Sequence, residues 1–110
     1  MKKAPNYLSK TSRRFVNAIL KEYELEIHHE KLLIQSAECL DRIEQAKAEI
    51  LRDGLTVPTK DGGIKSHPCV NIEKDNKILF VRIIRELGFD VESIDPYTRL
   101  PRQFGQAVRK

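Results

Sequence analysis

The residues best suited to chemistry are two cysteines, Cys39 and Cys69, and three histidines, His28, His29 and His67. The stretch "GIKSHPCV", residues 63–70, sets His67 and Cys69 on either side of Pro68. A thiol near a helix N-terminus ionises more readily, and a nearby imidazole can act as its base. That chemistry needs converging side chains and usually a third group to orient the base. Two positions apart across a first-turn proline, with no orienting Asp or Asn in a known signature, His67 and Cys69 read as capping and packing residues. His28 and His29 lie between Glu26 and Glu30. Adjacent residues on a helix diverge by about 100°, and helical metal sites use i, i+4 spacing. Neither histidine has a His or Cys at that spacing, so the pair reads as a helix entry. No CxxC or HxxxH offers a four-ligand zinc site. "KDGGIKS" pairs glycines with a lysine but lacks the GxxxxGK[ST] spacing of a phosphate loop. The expectation is a chain without catalytic residues, metal or cofactor.

The elements that position these residues belong to one domain, which 110 residues allow. Only 40% of residues are hydrophobic and 6% aromatic, with no Trp, so a monomeric core would be small. Thinly cored chains often gain burial by oligomerising. No apolar run approaches the roughly 18–20 residues of a membrane helix. The basic start "MKKAPNYLSK" has no apolar segment of the secretory kind. An intracellular location and two free thiols are therefore expected.

Charge is distributed unevenly around a net +4. Met1 to Lys21 carries Lys2, Lys3, Lys10, Arg13, Arg14 and Lys21 and no acid, whereas Glu22 to Asp53 holds nine acids against four bases. After Asp95 come Arg99, Arg102, Arg109 and Lys110, again without an acid. Basic ends on an acidic middle suit contact with a polyanion.

"LSKTSRRFVNAILKEY" predicts a short amphipathic helix with Ser9 as N-cap. Phe15, Ile19 and Tyr23 share a face at i, i+4, i+8, with Val16 and Leu20 beside them. Lys10, Arg13, Arg14, Asn17 and Lys21 fall on the other side. A long helix follows over 27–53, spanning roughly 40 Å. Its apolar stripe is expected along Leu33, Leu40, Ile43 and Ile50, flanked by Leu32, Ala37, Ala46 and Leu51. Glu30, Glu38, Asp41, Glu44 and Glu49 are expected to make its outer face acidic. Gly54 is expected to end it in a Schellman cap, with Ile50 and Leu55 as the hydrophobic pair. "LTVPTKDGGIKS" reads as a β-hairpin of strands 55–59 and 64–66 turning at Asp61-Gly62, with Pro58 marking an edge. The hairpin should pack on the helices or add to a neighbour's sheet, because a lone one is marginal. The third helix covers 67–88: Ser66 or His67 caps it, Pro68 fits its first turn and Gly88 ends it. Its apolar surface exceeds one stripe, so a second buried side, against another subunit, is expected. Residues 91–110 carry prolines and no helical period, and read as an irregular or disordered basic tail.

The ordered set "LSK", "YELEIHHEKLLIQSAECLDRIEQAKAEILRDGLTV", "DGGIKSHP" and "IEKDNKILFVRIIRELGFD" resembles the short family of phage terminase small subunits. Members carry a glycine turn, then Lys-x-His-Pro, then a helix with a Glu-Leu-Gly stop. The resemblance covers roughly Leu8 to Asp90. Pro96 and Arg99 stand where members often have a Pro and an Arg, at a longer spacing. The resemblance implies a non-catalytic subunit that binds viral double-stranded DNA at the packaging start site. It further implies a homo-oligomeric ring that recruits the large ATPase-nuclease subunit, in the cytoplasm of the infected bacterial host, away from any membrane. Many members place a helix-turn-helix domain before the hairpin. Here Met1 to about Tyr23 has room for one helix.

The expected architecture is mainly α. A single helical domain, 1–90, comprises a basic N-terminal segment and helix (1–23), the long helix, a β-hairpin (55–66) and a third helix antiparallel to the second. Lys2, Lys3, Lys10, Arg13, Arg14 and Lys21 are the expected DNA contacts, with Lys2 and Lys3 as mobile helpers. Arg99, Arg102, Arg109 and Lys110 form a second basic set or a tail for the large subunit. Ile78, Leu79, Phe80, Val81, Ile83, Ile84 and Leu87 are the expected oligomer interface. The alternative is a helical adaptor whose basic ends meet an acidic protein, with no nucleic acid. On either reading, Cys69→Ser should leave binding unchanged. Abolished function in that variant would restore Cys69 as a nucleophile.

Overall fold

The computed structural model describes residues 3–88 and 107–110. The elements, in chain order, are α1 (Lys10–Glu22), β1 (Tyr23–Glu24), α2 (Ile27–Asp53), β2 (Thr56–Pro58), β3 (Ile64–Ser66), α3 (Pro68–Leu87) and β4 (Val108–Arg109). The fold is mainly helical, with a short two-stranded antiparallel sheet between the second and third helices. Each helix begins on a residue with a physical reason to be there. Ser9 caps α1 by accepting the Ser12 N–H at 3.2 Å. Glu26 and the third helical residue, His29, cap α2 reciprocally: the Glu26 side chain takes the His29 N–H, and His29 Nδ1 takes the Glu26 N–H at 3.2 Å. His67 caps α3, and Pro68 follows at the first helical position, where its missing N–H costs nothing.

The α2–α3 pair is antiparallel. Leu33 and Ala37 in the first half of α2 share a core with Ile83 and Leu87 at the end of α3. At the opposite end, Asp53 of α2 meets His67 at the start of α3. Helix α1 lays Val16 into the same core, and the Phe15 and Phe80 rings sit 5.9 Å apart in a tilted contact. Ala4 and Leu8 are buried there too, so the segment before α1 is part of the fold. It is held by the Ala4 N–H to Asn17 Oδ1 (2.9 Å) and by the Tyr7 hydroxyl to Glu38 (3.0 Å). Lys3 is exposed on this anchored segment, and Lys2 lies outside the described residues.

Several expectations change. Gly54 has the positive φ that favours glycine, +86°, but its ψ of 174° sends the chain onward extended. A Schellman cap needs the left-handed region, so none forms, and Leu55 is 67% exposed. Gly88, at φ 68° and ψ 27°, does adopt it; the hydrophobic pair that the sequence suggests across this cap is Ile84 with Phe89, and Phe89 lies outside the described residues. Leu51, expected at the flank of the α2 stripe, is 89% exposed, so the buried stripe of α2 does not extend to it. The acidic face of α2 is also reduced: Glu38 and Asp41 turn to the N-terminal segment and α1. Most residues of β2 and β3 stay exposed, so the hairpin stands off the helices. Its three-residue loop closes inside the Thr59–Gly63 pair, with Gly62 at φ +88°. In the expected tail, Val108–Arg109 pair antiparallel with Tyr23–Glu24, whereas residues 91–106 lie outside the described residues.

Leu33 is fully buried in the shared core. Leu33→Ala should cost about 2–5 kcal/mol in urea unfolding. Leu51→Ala should stay within about 0.5 kcal/mol of the parent; a comparable loss there would contradict the exposed placement.

Candidate nucleic-acid interface

The basic face of α1 depends on how α1 is mounted. Its first turn holds Lys10 and Arg13, with Arg14 next, and no acid. Cations at a helix N-terminus oppose the helix dipole, and unpaired N–H groups there want an acceptor. Asp41, one helix away on α2, supplies the missing anion. Its carboxylate accepts the Ser9 N–H at 3.0 Å, the Ser9 hydroxyl at 2.5 Å and the Ser12 hydroxyl at 2.6 Å. The Ser12 oxygen also lies 3.2 Å from the Ala37 carbonyl, but its single hydrogen favours the nearer, charged acceptor. Burial works against the Asp41 charge. The hydrogen bonds from Ser12 and Ser9 and the nearby Arg42 outweigh it and hold the carboxyl below its ordinary range.

With its inner side committed, α1 turns Lys10, Arg14, Asn17 and Lys21 to solvent, and Arg13 is half-buried beside them. These positions follow i, i+4, i+7 and i+11, one face of a helix. Among the described residues no acid forms a salt bridge with Lys3, Lys10, Arg13, Arg14 or Lys21. The second basic set is divided. Arg99 and Arg102 lie outside the described residues, as does Pro96. Arg109 lies on β4. Lys110 is engaged with α1: its ammonium donates to the Leu20 carbonyl at 2.8 Å. The expected oligomer set is divided as well. Ile83 and Leu87 enter the chain's own core, and Phe80 packs against that core. Ile84 is half-buried. Ile78, Leu79 and Val81 are 47–48% exposed.

The histidine clusters perform structural work. His67 Nδ1 accepts the Cys69 backbone N–H at 3.0 Å, so that nitrogen is bare and the ring hydrogen sits on Nε2. Nε2 therefore donates to Asp53 Oδ2, also at 3.0 Å. The ring reaches the Cys69 backbone and leaves the thiol aside; both cysteines are free. Ligand atoms of Glu49, Asp53 and His67 lie within 4.8 Å of one another. A cation on Nε2 would require that nitrogen bare, forcing a hydrogen onto Nδ1 against the Cys69 N–H. Metal ligation and helix capping are thus exclusive uses of this ring. Arg52 already joins the two carboxylates, through Nη2 to Glu49 and Nε to Asp53. Glu26, His28 and His29 also cluster within 4.8 Å, and there His29 Nδ1 is taken by the α2 cap.

Sequence reasoning did not find the Asp41 clasp, the His67–Asp53 joint or the Lys110 contact. A signal existed for the first: two serines flanking a helix start whose own first turn is basic call for an acid from elsewhere.

The Arg52 hydrogen bond, and after it that of His67, hold Asp53 at about 2 against an ordinary 3.8. A carboxyl whose folded value lies below its unfolded one stabilises the fold at higher pH and loses that contribution as pH falls. Asp53→Asn should therefore melt below the parent at neutral pH, and the gap should close as pH falls from 3.8 towards about 2. An undiminished gap at the acid end would show that the charge is not the cause.

Comparison with protein-family models, with curated proteins and with solved structures finds no match to this chain.

Proposed function

We propose that this chain is a non-catalytic, DNA-binding subunit of the phage terminase small-subunit kind. It binds viral double-stranded DNA at the packaging start site and recruits the large ATPase-nuclease subunit, in the infected bacterial cytoplasm. The observation that carries this reading is the basic face of α1, where Lys10, Arg14 and Lys21 are exposed, Arg13 stands beside them, and none forms an ion pair among the described residues. Cations on such a face meet phosphates and release counterions, which gives affinity and steep salt dependence but little base readout. Two acids of α2 beside the start of α1, Glu38 and Asp41, are tied to Tyr7, Ser9 and Ser12 and so present less negative charge to a backbone. Among the described residues one helix, α1, precedes the α2–α3 hairpin, and its line of cations suits backbone contact.

Assembly into a ring uses the part of α3 that one chain leaves uncovered. Ile78, Leu79 and Val81 lie in one turn and stay half exposed, which suits burial against a neighbouring copy.

Lys10→Glu with Arg14→Glu should weaken binding to duplex DNA at least about tenfold at low salt and flatten the salt slope by about 1–2. The mass of the assembly in light scattering should not change. Unchanged DNA binding in the double variant would sink the assignment of α1. A parent chain that ignores DNA even at low salt would point to the adaptor with an acidic protein partner.

A further inference from the structure

Residues 107–110 return to the short link between α1 and α2. Ala107 is fully buried, and its N–H donates to the Leu87 carbonyl at 2.7 Å, closing the end of α3. Val108 pairs with Glu24 and Arg109 with Tyr23. The Lys110 N–H donates to the Glu22 carbonyl at 2.6 Å, and its ammonium to the Leu20 carbonyl at 2.8 Å. Leu20 and Glu22 belong to the last turn of α1, where carbonyls lack partners within the helix and the dipole favours a cation. Four residues thus bind the C-terminal end of α1 to the C-terminal end of α3.

Helix α1 has 13 residues, a length that is marginal in isolation. Its order comes from its attachments: the Asp41 clasp at one end, Val16 in the core and this return segment at the other end. The β1–β4 ladder is only two residue pairs long, and Lys110 is exposed. Short ladders of this kind open at low cost compared with a packed core.

We propose that residues 107–110 are a displaceable strap that fixes the C-terminal end of α1 and, with it, the orientation of the basic face. Removing the strap from β1 loosens α1 and lowers its affinity for DNA. This second consequence rests on α1 being the DNA contact; the loosening does not. By linkage, any protein that captures residues 107–110 weakens DNA binding by the same factor by which DNA weakens the capture. The segment therefore joins two surfaces of the chain that the sequence keeps far apart.

The test compares the parent with a chain ending after Gln106 and with Lys110→Ala, by hydrogen exchange and by binding to duplex DNA. In the shortened chain, amides of α1 and of Tyr23–Glu24 should exchange about tenfold faster or more, while those of α2 and α3 keep their protection. DNA affinity should fall about three- to tenfold, as expected when a binding element must be ordered on contact. Lys110→Ala should accelerate exchange in the last turn of α1 alone. Unchanged α1 exchange in both variants overturns the proposal. So does loss of protection throughout α2 and α3, because the segment would then be core and not strap. A loosened α1 with unaltered DNA affinity overturns the coupling. If the parent itself shows no DNA affinity, the DNA reading fails, while the exchange data still decide whether the strap exists.

Discussion

One carboxylate organises the start of this fold. Asp41 reaches from α2 to the N-terminus of α1 and accepts three hydrogen bonds from Ser9 and Ser12. Without it α1 would begin with Lys10, Arg13 and Arg14 against its own dipole and with no acid in its first turn. The clasp places the anion on the inner side of α1, so the cations stay outside, with no ion pair among the described residues. A basic face at a helix N-terminus is tenable because the balancing charge comes from a different helix. Beyond the clasp, Val16 enters the core shared with α2 and α3, and Phe15 packs against it.

Both ends of α3 are closed by contacts that use up the polar groups involved. At one end His67 caps α3 with one ring nitrogen and donates to Asp53 with the other. At the other end Ala107 takes the Leu87 carbonyl. Between them lies a core of modest side chains, several of them Ala, Ser and Cys. Small residues let the helices approach closely but bury little area each, so polar joints matter more here than in a core rich in aromatics. The same economy leaves Ile78, Leu79 and Val81 on the surface, as α1 and α2 cover one side of α3 and nothing among the described residues covers the other.

The helices were legible along the chain because their signals are local. Ser9, Gly54, His67-Pro68 and Gly88 mark ends through caps and turn geometry that need no distant partner, and Asp61-Gly62 marks the hairpin in the same way. The basic face of α1 was legible too, since i, i+4 spacing alone separates Lys10, Arg14 and Lys21 from Val16. The apolar residues of α3 were harder to place. Periodicity finds a face, but it does not say how many partners arrive to cover it, so Ile83 and Leu87 in the chain's own core looked no different from Ile78 and Val81 on the surface.

What the sequence determined by itself is therefore where each helix begins, which side of it is apolar and where the cations collect, because capping and periodicity act over a few residues. Tertiary structure alone decided what those features meet. Asp41 looked like one more acid on a solvated face and became the anchor of α1. Lys110 looked like part of a free basic tail and sits on the carbonyl of Leu20, 90 positions away. Contacts at such separations leave no period in the chain, since their geometry exists only after the helices have packed.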